Sequence, residues 1–234
     1  MRTALPGRWI GGLSCLLGPS TLLAGILLRA DVDFFFPEQL AAYARHPVRW
    51  SVSYGAFALG VLLLVPAVLA LAAAIAPSHP RWARWGALLT TAGLGVRLFH
   101  AGQDHLAFRM VDALGPEAAH QAIADTYAVP HPLAPAAPLC LAGWIVLAVG
   151  AFRAGVLGPL RALALATTSI LMIGVLKGTD PTSILAAAAL AAALVPFGTT
   201  LLRTVPWPPP SRLAAATVAT LAALGALTFL GTAG

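Results

Sequence analysis

Seven stretches of 17 or more mostly apolar residues run through the chain, at 9–28, 51–76, 85–108, 133–152, 160–176, 182–202 and 212–232. A helix crossing the hydrocarbon of a bilayer needs roughly 20 such residues, each adding about 1.5 Å of rise. In lipid the backbone must bond within itself, so helices are the way such stretches span. The pattern predicts an all-α fold: a polytopic transmembrane helical bundle of about seven spans, forming a single domain over 1–234. Composition agrees, since only 9% of residues are charged where a soluble domain has about 25%.

The basic residues fit a membrane orientation better than a nucleic-acid surface. They are scattered through loops, with no Lys/Arg cluster interleaved with aromatics, so no nucleic-acid partner is expected. With the N-terminus inside, the inner segments hold Arg2, Arg8, Arg81, Arg84, Arg153, Arg161, Arg203 and Arg212 and no acid. The outer segments hold Arg29, Arg45, Arg49, Arg109 and Lys177, with every acidic residue except Asp104. Positive charge stays inside, and the C-terminus falls outside. The preference for Arg over Lys, beside abundant Ala, Gly and Pro, suggests a high-GC bacterial genome and so the bacterial cytoplasmic membrane. Arg2 and Arg8 ahead of the first apolar run resemble a signal peptide. The run is 20 residues long and no A-x-A-like site follows it, so a retained first span is expected.

Between the spans, "FFFPEQLAAYARHPVRW" (34–50) and "GPEAAHQAIADTYAVPHP" (115–132) predict short interfacial helices near 37–45 and 116–127. Interfacial anchoring is one use for them and a lid over an outward-facing cavity is another. Pro19, Pro66 and Pro196 lie within spans and predict kinks. "VPWPPPSR" (205–212) reads as a stiff connector, and the Ala- and Gly-rich later spans favour close packing. Cys15 and Cys140 read as small buried hydrophobes.

The third span breaks the apolar rule. In "GVRLFHAGQDHLAF" (95–108), Arg97, His100, Asp104 and His105 fall within an arc of about 140° at 100° per residue. Val96, Leu98, Phe99 and Leu106 lie opposite. Counted from Trp85, Arg97 sits about 18 Å in, His100 about 22 Å and Asp104 about 28 Å. A lipid-facing Arg at that depth costs about 2.5–3.5 kcal/mol or more, so this face must turn toward protein or water. Asp104 is about 10 Å from Arg97 along the helix. Asp31 or Asp33, at the outer end of the first span, are the expected acceptors, with His100 bridging by hydrogen bonds. A packing network that fixes helix rotation would need no more than this.

If the face lines a pocket, acid–base chemistry is the better fit. An Asp in a partly dry pocket can stay protonated and deliver H⁺ to an alkene or epoxide, and a His can reload it or take the proton away. Asp104 is the candidate donor, His100 the relay or base, Arg97 the fixed positive charge, and Asp31 or Asp33 its partner. Glu38 and His105 are further candidates. Phe35, Trp50, Tyr54, Phe99 and Phe108, with Phe34 and Phe36, could present aromatic faces to a cationic intermediate; a belt at the membrane interface explains them equally. A metal would have His100 and Asp104 at i, i+4, with His105, His131 or Asp31 as third ligand. There is no H-E-x-x-H, no C-x-x-C and no second helix of paired ligands, so no metal or other cofactor is expected.

In architecture the chain resembles the small integral-membrane terpene cyclases: similar length, seven spans, and acidic residues at one membrane face. The resemblance covers the whole chain in span count. It implies that carboxyl groups protonate a prenylated, membrane-dissolved substrate, an isoprenoid or lipid, without metal. The motifs D-D-x-x-D and D-x-D-D are absent, so ionisation of a pyrophosphate is not implied. Two other classes stay open. A proton- or ion-coupled small transporter also needs buried Asp, His and Arg, although the ionisable residues cluster in the first half and toward one face. A non-catalytic accessory membrane subunit would need none of this chemistry.

Overall fold

A computed structural model describes residues 6–127, 129, 132–171, 173–204, 206 and 209–211, and after these 214–215, 217–219, 222 and 225–226. The chain divides into two compact units, Met1–Leu202 and Arg203–Gly234. In the second, the described residues from 210 onward have helical backbone, but the expected span 212–232 lies largely outside the described residues.

The first unit is all-α among its described residues: α1 (Arg8–Leu27), α2 (Phe36–Arg45), α3 (Pro47–Ile75), α4 (Pro80–Leu114), α5 (Pro116–Tyr127), α6 (Ala137–Arg153), α7 (Pro159–Thr167) and α8 (Pro181–Arg203). Five of the eight begin on a proline, whose fixed φ and missing N–H suit the first helical position. Pro19, Pro66 and Pro196 sit inside helices that continue through them. Between α4 and α5, Gly115 takes φ +84°, a conformation that glycine adopts without strain, and turns the chain.

Small residues set how the helices pair. A Cβ on Gly60 of α3 would lie 2.6 Å from the Leu22 nitrogen of α1. On α4, Gly86 and Gly93 face Leu147 and Cys140 of α6, so these two helices run antiparallel. Gly198 of α8 meets Cys15 of α1 in the same manner. Backbone-to-backbone approach of this kind is how helices associate where no hydrophobic effect drives them together.

Among the described residues three helices, α1, α3 and α8, are long and apolar enough to cross a membrane, and α6 contains a shorter apolar helix. That suggests a membrane protein. Their outward faces carry exposed Leu13, Leu17, Val52, Leu59, Leu62 and Leu185, as helices facing lipid would. At 35 residues, α4 is about 52 Å long and exceeds the roughly 30 Å hydrocarbon; its charged stripe keeps it out of the apolar group.

The expected span 160–176 is not one helix. Helix α7 stops at Thr167, a 3-10 turn covers Thr168–Ile170, and the described residues from Leu171 to Asp180 are irregular. Hydroxyls at Thr167, Thr168 and Ser169 offer the backbone local alternatives to helical bonding. Beyond them Gly174 adopts φ +156°, and Leu176, without glycine's freedom, adopts φ +49°. Asp180 then restarts the helix. Its carboxylate accepts the Ser183 N–H at 2.9 Å and the Thr182 hydroxyl at 2.5 Å, ahead of Pro181. This broken span still travels from the C-terminal end of α6 to that of α1. It leaves through the Val156 and Leu157 N–H bonds to the Ala151 carbonyl and arrives with the Thr179 hydroxyl on the Ile26 carbonyl.

Candidate functional site

The inward face of α4 is the predicted one. Arg97, His100 and Asp104 are only 7, 5 and 7% exposed, while Phe99 and Leu106 are exposed. What they turn toward is the broken span. The Arg97 guanidinium donates through Nη2 to the Leu171 carbonyl at 2.6 Å, and Asp104 Oδ1 accepts the Leu176 N–H at 2.5 Å. The Tyr127 hydroxyl of α5 donates to the Val175 carbonyl, and the Gly178 N–H donates to the Phe34 carbonyl. Backbone without helical bonds must find partners inside the protein when water is absent. The polar stripe on α4 supplies two of them, one at the start of the irregular stretch and one at its middle. Asp104 also holds Leu176 at its uncommon φ.

Two chambers flank this arrangement. The smaller, about 30 Å³, is lined by Arg29, Tyr54, Arg97, His100, Asp104 and Lys177, among others. The larger, about 460 Å³, lies between α4, α5 and residues 173–177. Leu106, Met110, Ile123, Ile173 and Val175 make most of its wall apolar, and His100, Gln103, Thr126 and Lys177 give it polar points. His100, Gly174 and Lys177 border both. A third cavity of about 410 Å³ lies against Tyr43, Tyr54, His105 and Phe108.

The other predicted residues are dispersed. Asp31 and Asp33 are not the acceptors for Arg97: that guanidinium reaches the Leu171 carbonyl, and neither acid lines its chamber. Asp31 instead pairs with Arg49 at 2.5 Å, and this guanidinium holds its carboxyl below its ordinary value. Asp33 accepts the Phe35 N–H. Both acids are exposed because α1 ends at Leu27 and the chain turns outward before α2. Glu38 is exposed in the first turn of α2, where a carboxylate suits the helix dipole. His105 is exposed and borders the third cavity. As third ligands beside His100 and Asp104, His105 and Asp31 are thus misplaced, and His131 lies outside the described residues. No three His, Cys, Asp or Glu side chains converge among the described residues.

Of the predicted aromatics, Tyr54 alone reaches the small chamber. Phe108 is buried, stacked on Tyr43 at 4.4 Å, and borders the third cavity. Trp50 is fully buried with its indole N–H on Gln39 Oε1. Phe35 and Phe99 are partly exposed. Phe35 joins Phe34 and Tyr127 in a ring of aromatic faces around the Lys177 ammonium, at 5.4–5.7 Å from their centroids.

Sequence reading missed four contributors. Arg29, assigned there to an outer loop, is 3% exposed beneath the Tyr54 and Phe57 rings. Lys177 borders both chambers. Gln103 presents a buried, unpartnered Oε1 to the larger one. Gln39, fully buried, accepts from Trp50 and Tyr54 and donates to the Asp33 carbonyl. The broken span is what brings Lys177 inward. "TTS" and "KGTDP" were its visible traces in the sequence. Comparison with protein-family models, with curated proteins and with solved structures finds no match for this chain.

Proposed function

We propose that the chain is an integral-membrane enzyme of the bacterial cytoplasmic membrane that passes protons to and from a membrane-dissolved isoprenoid or lipid. Acid-initiated terpene cyclisation is the reaction it fits best. One observation carries this reading: His100 is the common wall between a polar chamber holding Asp104 and a largely apolar chamber of about 460 Å³, the size of a site for a small amphipathic molecule. Substrate would lie along Leu106, Met110 and Ile123. The imidazolium of His100 delivers its proton to an alkene carbon or epoxide oxygen, and the resulting cation cyclises. The same imidazole then takes a proton from carbon, so protons balance and product and substrate are isomers. Asp104, expected as the donor, lines the small chamber and not the larger one, so in this reading it reloads His100 rather than meeting the substrate itself. Arg97 touches no substrate here; it positions the chamber wall through Leu171.

The test is conversion. Membranes holding the wild type, His100→Ala or Asp104→Asn are incubated with pooled prenylated substrates and extracted. New cyclic products of unchanged mass are expected with the wild type, and a loss of about 10²–10⁴-fold with His100→Ala. Absence of conversion, with proton-dependent flux in liposomes, supports the second reading, a proton- or ion-coupled transporter. That reading draws on the broken span itself, since interrupted helices whose free backbone groups face a cavity are how carriers build ion sites.

A further inference from the structure

Arg29 lies just beyond α1, yet it is among the most buried charges described. Its ring contacts lie 4.1 Å and 5.1 Å from the Tyr54 and Phe57 centroids. Its one described hydrogen bond is a long one of 3.4 Å from Nη1 to the Ser53 hydroxyl oxygen, and that hydroxyl is itself donated to the Gly25 carbonyl. Nε is buried with no partner. Neither ring nor hydroxyl neutralises a guanidinium. The chamber that Arg29 lines holds two further cationic side chains, Arg97 and Lys177, and among the described lining residues only one carboxylate, Asp104. Asp104 already commits one oxygen to the Leu176 N–H. Positive charge is therefore in excess around this chamber, and the buried Arg29 carries the larger part of its cost, since an uncompensated charge away from water is strongly disfavoured.

We infer that this chamber binds a small monovalent anion of halide size, held by Arg29 and facing Arg97 and Lys177. Size and charge set the class. The chamber of about 30 Å³ has room for about two waters at 10–15 Å³ each. A single chloride fills that room; a doubly charged oxyanion costs more to strip of water, and a lipid phosphate brings a chain that it cannot hold. The anion supplies the acceptor that Arg29 Nε lacks and joins the end of α1 to the broken span beside Lys177. The larger chamber adjoins it, sharing His100, Gly174 and Lys177. The site does not depend on the enzymatic reading, because it asks only for charge balance.

The experiment uses the purified full chain in an uncharged detergent, with tryptophan fluorescence following thermal unfolding. Sodium chloride replaces sodium gluconate at constant ionic strength. The midpoint should rise saturably with chloride and with bromide, and not with sulfate. At chloride 100-fold above its Kd, the folding equilibrium constant should rise about 100-fold. Arg29→Gln should abolish the response, and the exposed Arg84→Gln should keep it. Matching curves in chloride and gluconate, a sulfate response as large as that of chloride, or a folded Arg29→Gln variant with the full shift would each overturn the site. Should Arg29→Gln fail to fold, chloride NMR linewidths on the wild type decide. Broadening beyond that of empty micelles, reversed by bromide, is expected, and its absence refutes the site.

Discussion

Asp104→Leu and Asp104→Asn separate two things the same side chain does. An amide can still accept the Leu176 N–H, so Asp104→Asn should fold near normally and lose only the carboxylate's charge and proton. Leucine leaves that N–H buried and unmet, which costs about 1–3 kcal/mol; unfolding in detergent should register the difference between the two variants. Surface charge behaves otherwise. Arg49 lowers the Asp31 carboxyl relative to its ordinary value of 3.8, so the pair's contribution is complete above that value. It fades as pH falls through the lowered one. Both partners are exposed, so a pH titration of the unfolding midpoint should show a small acid-side loss that salt diminishes and Asp31→Asn removes.

At the level of helices, the broken span explains the stripe on α4. A continuous helix over 160–176 would have asked nothing of its neighbours. Once helix bonding stops after Ile170, the amides and carbonyls of 171–180 need outside partners, and Arg97 and Asp104 meet two of them. Arg97→Leu should loosen this stretch: hydrogen exchange of the 171–180 amides should quicken at least tenfold while α1 and α3 hold their protection, whereas uniform protection would deny Arg97 that role. Glycine contacts make a second expectation. Gly60→Ala drives a methyl toward Leu22 nitrogen and Gly18 oxygen. Backbone there cannot yield as a flexible side chain can, so about 1–3 kcal/mol should be lost, read as a lowered midpoint with unchanged helix content. Three of the stripe's four members, Arg97, His100 and Asp104, were legible in advance because ionisable groups at helical spacing cannot face lipid; His105, the fourth, is exposed. The stripe's partners were not legible, because hydrophobicity does not distinguish a span that is helical throughout from one that stops half-way. Lys177 and Arg29 were read as loop charges for the same reason. Gln39 carries neither charge nor periodicity to betray a buried hub.

For the molecule as a whole, the apolar belt and the order of the helices make topology testable. Cys15 and Cys140 are both buried, so an impermeant thiol reagent meets little native background. If the N-terminus is inside, Asp112→Cys, exposed in the last turn of α4, should label in intact cells, and Arg84→Cys, exposed in its first turns, only after permeabilisation. The reverse pattern would invert the orientation. Long apolar runs and prolines ahead of helices were enough to predict an all-α chain with helices suited to a membrane, though not where every helix would end. These properties follow from chain length, local sterics and the period of side chains around one helix. Tertiary structure decided which span would break, which charges would be drawn inside, and that Arg97 serves a carbonyl rather than an acid. Those outcomes depend on where unsatisfied backbone groups and charges meet across elements distant in the chain, and no local pattern encodes that meeting.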